Sequence, residues 1–182
     1  MFLFVPTACD KDFDLSFVID GSGSIEQSGA GNFGRVKNFV KSIIRGFRIG
    51  PEKTRVGAVV YSSASYIKVV FGLDSYFTTE ELDKAIDEIV YPSGGTNTGE
   101  AITMATNRIY SGSQDRPDIP NVCIVITDGK ATDNIAPPSA RLRSQGTVIF
   151  AIGVGKNFDR AELEKMAGSK SNVFTARSES VV

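Results

Sequence analysis

Near-continuous apolar runs alternate along this chain with segments whose apolar residues recur every three or four positions. The runs are Leu15-Ser16-Phe17-Val18-Ile19, Thr54 to Tyr61, Val122 to Thr127 and Thr147 to Val154. Their length and β-branched content mark them as buried strands. Tyr66 to Phe71 follows the second run after only a short polar link. That proximity predicts a hairpin, and hence an antiparallel edge strand on a mostly parallel sheet.

Between the runs lie helical patterns. Phe33, Val36, Phe39, Val40, Ile43, Ile44 and Phe47 predict an amphipathic helix over Asn32 to Phe47. Thr78 with Glu81 offers a capping box that opens a helix through Val90, with Leu82, Ile86 and Ile89 as its buried stripe. Ile102, Ala105 and Ile109 mark a further helix. Pro137-Pro138 start another that Gly146 closes. Asp159 with Glu162 caps the last helix, Gly168 ends it, and Asn172-Val173-Phe174 predicts a short final strand. Strands and helices in this rhythm predict a doubly wound α/β domain, its mostly parallel sheet flanked by helices. No internal repeat or second domain is evident, so residues 13–182 read as one domain preceded by an extension, 1–12.

Composition narrows the chemistry. A hydrophobic content of 41% and a charged content of 23% are ordinary for a globular domain. The formal net charge of -1 gives no global field favouring nucleic acid or an anionic membrane. No apolar run reaches the ~18 residues of a membrane-spanning helix. Met1 to Pro6 lacks a basic flank and is too short for an intact signal peptide. The chain has no histidine, which removes imidazole catalysis and His-ligated zinc. Cys123, in an apolar strand, reads as a core residue, whereas Cys9 is placed to pair with something outside this segment.

Asp20-Gly21-Ser22-Gly23-Ser24 follows the first strand, at the sheet edge where ligands bind in open α/β folds. One carboxylate and two hydroxyls at alternate positions give a tight turn three oxygen donors. Oxygen without thiolate or imidazole suits a hard cation, magnesium first and manganese or calcium next. The bland alternative is a strand-to-helix turn with Ser24 as an N-cap. Two further oxygen-bearing segments belong at the same edge: Gly94-Gly95-Thr96-Asn97-Thr98-Gly99, and Asp128-Gly129 after Ile124 to Thr127.

The order Asp-x-Ser-x-Ser, then a Gly-Gly-Thr loop, then Thr-Asp-Gly resembles the metal-ion-dependent adhesion site of von Willebrand factor A domains and integrin inserted domains. The resemblance runs from about Phe13 to Phe174 and implies the family's Rossmann-like fold. It implies Asp20, Ser22, Ser24, Thr96 and Asp128 as metal-site residues. Thr98 is expected instead to N-cap the helix after it, and Asp133 to order its loop rather than bind metal. In many extracellular members a cysteine before the first strand pairs with one after the last helix; no such partner for Cys9 occurs up to Val182. The family also implies a shift between affinity states that moves the last helix, here about Asp159 to Ala167.

The function implied is a non-enzymatic adhesion module of a longer extracellular protein, secreted or in the matrix. Its bound cation would meet a Glu or Asp of a protein partner, collagen or another matrix protein, with no nucleic acid and no membrane insertion. Collagen-binding integrin domains carry an extra short helix after the Asp128-type strand, and the link Gly129 to Ala136 is too short for one. The chain looks more like the A domains of matrilins and collagen VI. A rival is an intracellular A domain acting as a scaffold or adaptor in a multi-subunit complex. Phosphoryl transfer is disfavoured, since no phosphate-cradling Lys motif accompanies the strand-end Asp.

Overall fold

The computed structural model describes residues 11–27, 29–112 and 115–176. Cys9 and the extension up to residue 10 lie outside the described residues. In chain order the elements are β1 (Asp14–Asp20), α1 (Gly23–Gln27), α2 (Asn32–Ile44), β2 (Arg55–Tyr61), β3 (Ile67–Phe71) and α3 (Thr79–Asp87). They continue with α4 (Thr98–Arg108), β4 (Asn121–Thr127), α5 (Ala136–Ser144), β5 (Val148–Val154), α6 (Arg160–Ala167) and β6 (Val173–Ala176).

One six-stranded sheet has the order β3-β2-β1-β4-β5-β6. Every pairing is parallel except β2 with β3, which is antiparallel, as the short link between them requires. The chain winds from β1 outward to β2 and β3, then returns beside β1 as β4 and winds the other way. The reversal falls between β1 and β4. A crevice opens at the carboxyl ends of two such strands, and that is where this architecture places ligands.

All seven residues of β1 are buried, because helices cover both faces of the sheet. Leu15, Phe17 and Ile19 pack with Phe33, Val36 and Val40 of α2 and Leu82 and Ile86 of α3. Val18 lies in the opposite layer with Val125 and Ala151, against Ile102 of α4, Leu142 of α5 and Leu163 of α6. Burial on both faces removes the polar alternation of a half-exposed strand, which is why these runs are almost wholly apolar.

Helix boundaries are where the expectations slip. Helix α2 ends at Ile44 instead of Phe47. Phe47 leaves the helical path and meets Phe13 edge-on, with ring centroids 5.9 Å apart. The capping box of α3 forms, with Glu81 N donating to Thr78 Oγ1 (3.3 Å) and Thr78 N to Glu81 Oε2 (3.1 Å). That helix nevertheless stops at Asp87, which leaves Val90 71% exposed. The one-turn helix α1 was not expected. No additional helix separates β4 from α5, consistent with the short Gly129 to Ala136 link.

At the amino end of β1, Asp14 is fully buried and meets Arg116. Arg116 Nη2 and Nε reach Asp14 Oδ1 at 2.6 and 2.9 Å, and the Arg116 amide donates to Oδ2 at 3.2 Å. This charge pair closes one end of the sheet.

Candidate metal centre

The other end of β1 is built differently. Asp20 is its last residue and is 0% exposed. Its Oδ1 accepts from the Ser22 amide at 2.7 Å, and its Oδ2 accepts from the Thr127 hydroxyl at 2.7 Å. Both donors are neutral, and among the described residues no cation forms an ion pair with Asp20. Burial therefore pushes its carboxyl up from 3.8 to about 6, with a smaller contribution from the charge of Asp128, while hydrogen bonds from Thr127 and Ser22 pull the other way. Such a carboxylate gains strongly from a positive charge placed beside it.

The turn after Asp20 carries Ser22 and Ser24, whose hydroxyls are 3.0 Å apart. Ser24 Oγ donates to Asp128 Oδ1 at 2.7 Å, across 104 positions of sequence. Ser24 lies inside α1, which begins at Gly23, so it is not the N-cap that a plain turn would make of it. Gly21 and Gly23 both avoid positive φ, so neither is needed for an unusual backbone angle. Gly21 is needed for space, because a Cβ there would lie 2.5 Å from Pro92 Cδ.

The Gly-Gly-Thr loop is tied to both partners. Its sharp bend uses positive φ at Ser93 (56°) and Gly94 (112°). Gly94 O then accepts from the Gly23 amide at 2.9 Å, and Thr96 O accepts from the Thr132 amide at 2.8 Å. Thr96 itself is buried, 8% exposed. Tyr91 adds a further strut, its hydroxyl donating to Ser22 O at 3.0 Å. Asp20, Ser22, Ser24 and Asp128 are thus linked by direct hydrogen bonds, while Thr96 joins them through the backbone of its loop.

Thr98 does something other than cap. It is the first residue of α4, where Asn97 is the N-cap residue and makes no capping bond with its side chain. The Thr98 hydroxyl pairs at 3.0 Å with that of Tyr61, the buried last residue of β2. The helix start is satisfied from a distance by Asp133, which accepts from the amides of Gly99 (2.9 Å) and Glu100 (2.8 Å). A carboxylate at a helix start is favourable on both hydrogen-bonding and dipole grounds. Gly99 makes this possible, since a Cβ there would sit 2.7 Å from Asn134 O. Sequence gave no sign of this long-range cap, nor of Tyr61 beneath the site.

The donor set fits a hard divalent cation. It offers two buried carboxylates and three hydroxyl-bearing residues in a chain without histidine. Among the described residues no three His, Cys, Asp or Glu side chains gather anywhere. Any cation here would therefore rely on hydroxyls as well as carboxylates, unlike an all-acidic cage.

Comparison with known proteins decides the family. The von Willebrand factor type A domain family model matches residues 14–182. This chain belongs to the von Willebrand factor type A domain family. It is 37% identical over 164 residues to the human collagen alpha-5(VI) chain, covering 90% of this chain and 6% of that one. It is 41% identical over 150 residues to chicken matrilin-1, covering 80% of this chain and 29% of the relative. It is 40% identical over 175 residues to the Caenorhabditis elegans transmembrane cell adhesion receptor mua-3, covering 93% and 4%.

Among solved structures, proximal thread matrix protein 1 from the mussel byssus superposes with a TM-score of 0.88 at 28% identity, covering 96% of this chain and 45% of that one. A second structure of the mussel protein has a zinc-occupied MIDAS motif, with a TM-score of 0.84, 32% identity and coverage of 94% and 43%. The A domain thus spans less than half of each of these proteins. They are matrix and cell-surface adhesion proteins, and the domain is an extracellular module of that kind. The intracellular scaffold reading finds no support among them.

Proposed function

We propose that this A domain is a non-catalytic adhesion module that captures an acidic side chain of a protein partner through a divalent cation, magnesium in the first place. Asp20, Ser22, Ser24, Thr96 and Asp128 would hold the ion. The observation that carries this reading is the closed set of hydrogen bonds joining three loops at the switch point of the sheet. Those bonds run from Ser24 to Asp128, from Gly23 to Gly94 and from Thr132 to Thr96.

The bound ion would supply a coordination position open to an outside carboxylate. The chain's own residues set the conditions for that. Thr127 and the Ser22 amide hold both oxygens of Asp20 in fixed directions. The serine hydroxyls contribute donors without charge, so few anions compete with the partner's acid. Sheet and loops are fixed by bonds made without the partner, so little ordering is left for binding to offset. A collagen or another matrix protein fits as partner by analogy with the relatives.

The test is a solid-phase assay of the domain on collagen and on matrix extracts, in magnesium or in EDTA. Binding that needs magnesium and vanishes in Thr96→Ala and Asp128→Ala supports the proposal. Equal binding in EDTA contradicts it.

A further inference from the structure

Four consecutive residues after Asp128 and Gly129 each bond to another segment of the molecule. Lys130 Nζ lies 3.7 Å from Asp159 Oδ2, at the N-cap of α6. The Ala131 amide donates to Glu162 Oε1 at 2.9 Å. The Thr132 amide donates to Thr96 O at 2.8 Å. Asp133 accepts from the first amides of α4, the helix that follows Thr96. The segment is therefore a hub between α6, the Thr96 loop and the Asp128 loop.

Its bonds are unequal. The Lys130 pair joins side chains 72% and 36% exposed, a setting in which ion pairs contribute little. The Glu162 bond is charge-assisted, short and partly buried, and such bonds are among the stronger ones. Glu162 was expected to complete a capping box with Asp159. Asp159 caps α6 alone, its Oδ1 accepting from the amides of Ala161 and Glu162 at 3.0 and 3.2 Å. The Glu162 side chain is thereby released to reach the loop.

We propose that Glu162 is a positioning residue for the metal centre, holding the Asp128 loop against the Thr96 loop through the Ala131 amide. The inference rests on the metal-site reading above and adds a residue from outside the five-residue set. Glu162 touches no ligand side chain; its effect passes along the backbone, from Ala131 to the neighbouring Thr132 and so to Thr96. Groups that orient a metal site from outside it typically change affinity by about tenfold or more when removed.

The test compares wild type, Glu162→Ala, Glu162→Gln and, as a control on the same helix, Glu164→Ala. Magnesium affinity is measured by calorimetry, and hydrogen–deuterium exchange of the peptide spanning 129–134 is followed in EDTA. Glu162→Ala is expected to weaken magnesium about tenfold and to speed exchange in that peptide, with the β1 and β4 peptides unchanged. Glu162→Gln keeps an acceptor oxygen and should restore both readouts, and Glu164→Ala should leave both at wild-type values.

Unchanged exchange at 129–134 in Glu162→Ala overturns the inference, as does a loss that glutamine fails to rescue. Exchange accelerated over the whole domain also overturns it, since that marks general destabilisation. If wild type itself takes no magnesium, the metal-site reading fails on the calorimetric arm, while the exchange arm still decides whether Glu162 holds the loop.

Discussion

Asp14 and Asp20 stand at opposite ends of β1, both fully buried, and the protein treats them in opposite ways. Asp14 faces a built-in cation, with Arg116 donating through its side chain and its backbone amide. Among the described residues Asp20 receives only the neutral donors of Thr127 and Ser22, and it stands near a second carboxylate, Asp128. The amino end of the strand is finished internally, while at the carboxyl end the described residues supply no counter-charge to Asp20, and under the proposed function a bound cation would supply it. Two aspartates in the same strand thus teach that burial alone does not make a site. What matters is whether the fold supplies the counter-charge.

The largest expected effect breaks the finished end. Arg116→Ala leaves Asp14 buried and without its cation, which should cost about 3–5 kcal/mol of stability. Denaturant melts measure the loss. Magnesium affinity of the folded fraction should be unchanged, because the centre lies at the other end of the strand.

The next effect concerns the unfinished end and carries the opposite sign. With its carboxyl raised from 3.8 to about 6, Asp20 binds its proton more tightly folded than unfolded. Its contribution is therefore fully present below pH 4 and is lost as pH climbs to about 6, some 3 kcal/mol for a shift of about two units. Metal-free Asp20→Asn should abolish that decline and be more stable than wild type at pH 7. Melts in EDTA between pH 4 and pH 7 check the sign, and a less stable Asp20→Asn would equate Asp20 with Asp14.

Smaller effects sharpen the comparison through two tyrosines. Tyr61 supports the carboxyl end through Thr98, at 3.0 Å, and Tyr110 supports the amino end through Val122 O, at 2.5 Å. Each Tyr→Phe change should cost about 1 kcal/mol, but only Tyr61→Phe should also weaken magnesium, as calorimetry on the two variants would show. The smallest expected effect is at Cys123, beside Ser16 on the neighbouring strand in the middle of the sheet. Its burial pushes the thiol up to about 12, so alkylating reagents at pH 8 should leave it unmodified in the native protein, as mass mapping would show.

The two ends also differ in how far they could be read from sequence. The strands of a mostly parallel sheet were legible because burial on both faces leaves an apolar signature, and the antiparallel edge strand because its link is short. The three oxygen-bearing segments that meet at the carboxyl end stood out because short polar turns interrupt that signature. Arg116 was not, because its partner Asp14 lies 102 positions away and nothing local marks the pair. Asp133 as the cap of α4 and Glu162 as an anchor of the Asp128 loop were hidden for the same reason, being bonds between elements. The ends of α2 and α3 were overestimated because apolar spacing continues through Phe47 and Val90 after the backbone has left the helix.

The central claim is the proposal that the carboxyl end of β1 binds a divalent cation. Thermal unfolding with and without magnesium, at pH 7, tests it most directly. A ligand at about a hundred times its dissociation constant should add roughly 2.7 kcal/mol, raising the melting temperature of wild type and of Arg116→Lys but not of Asp20→Asn or Asp128→Asn. A wild-type melting temperature that is the same in magnesium and in EDTA would contradict the claim.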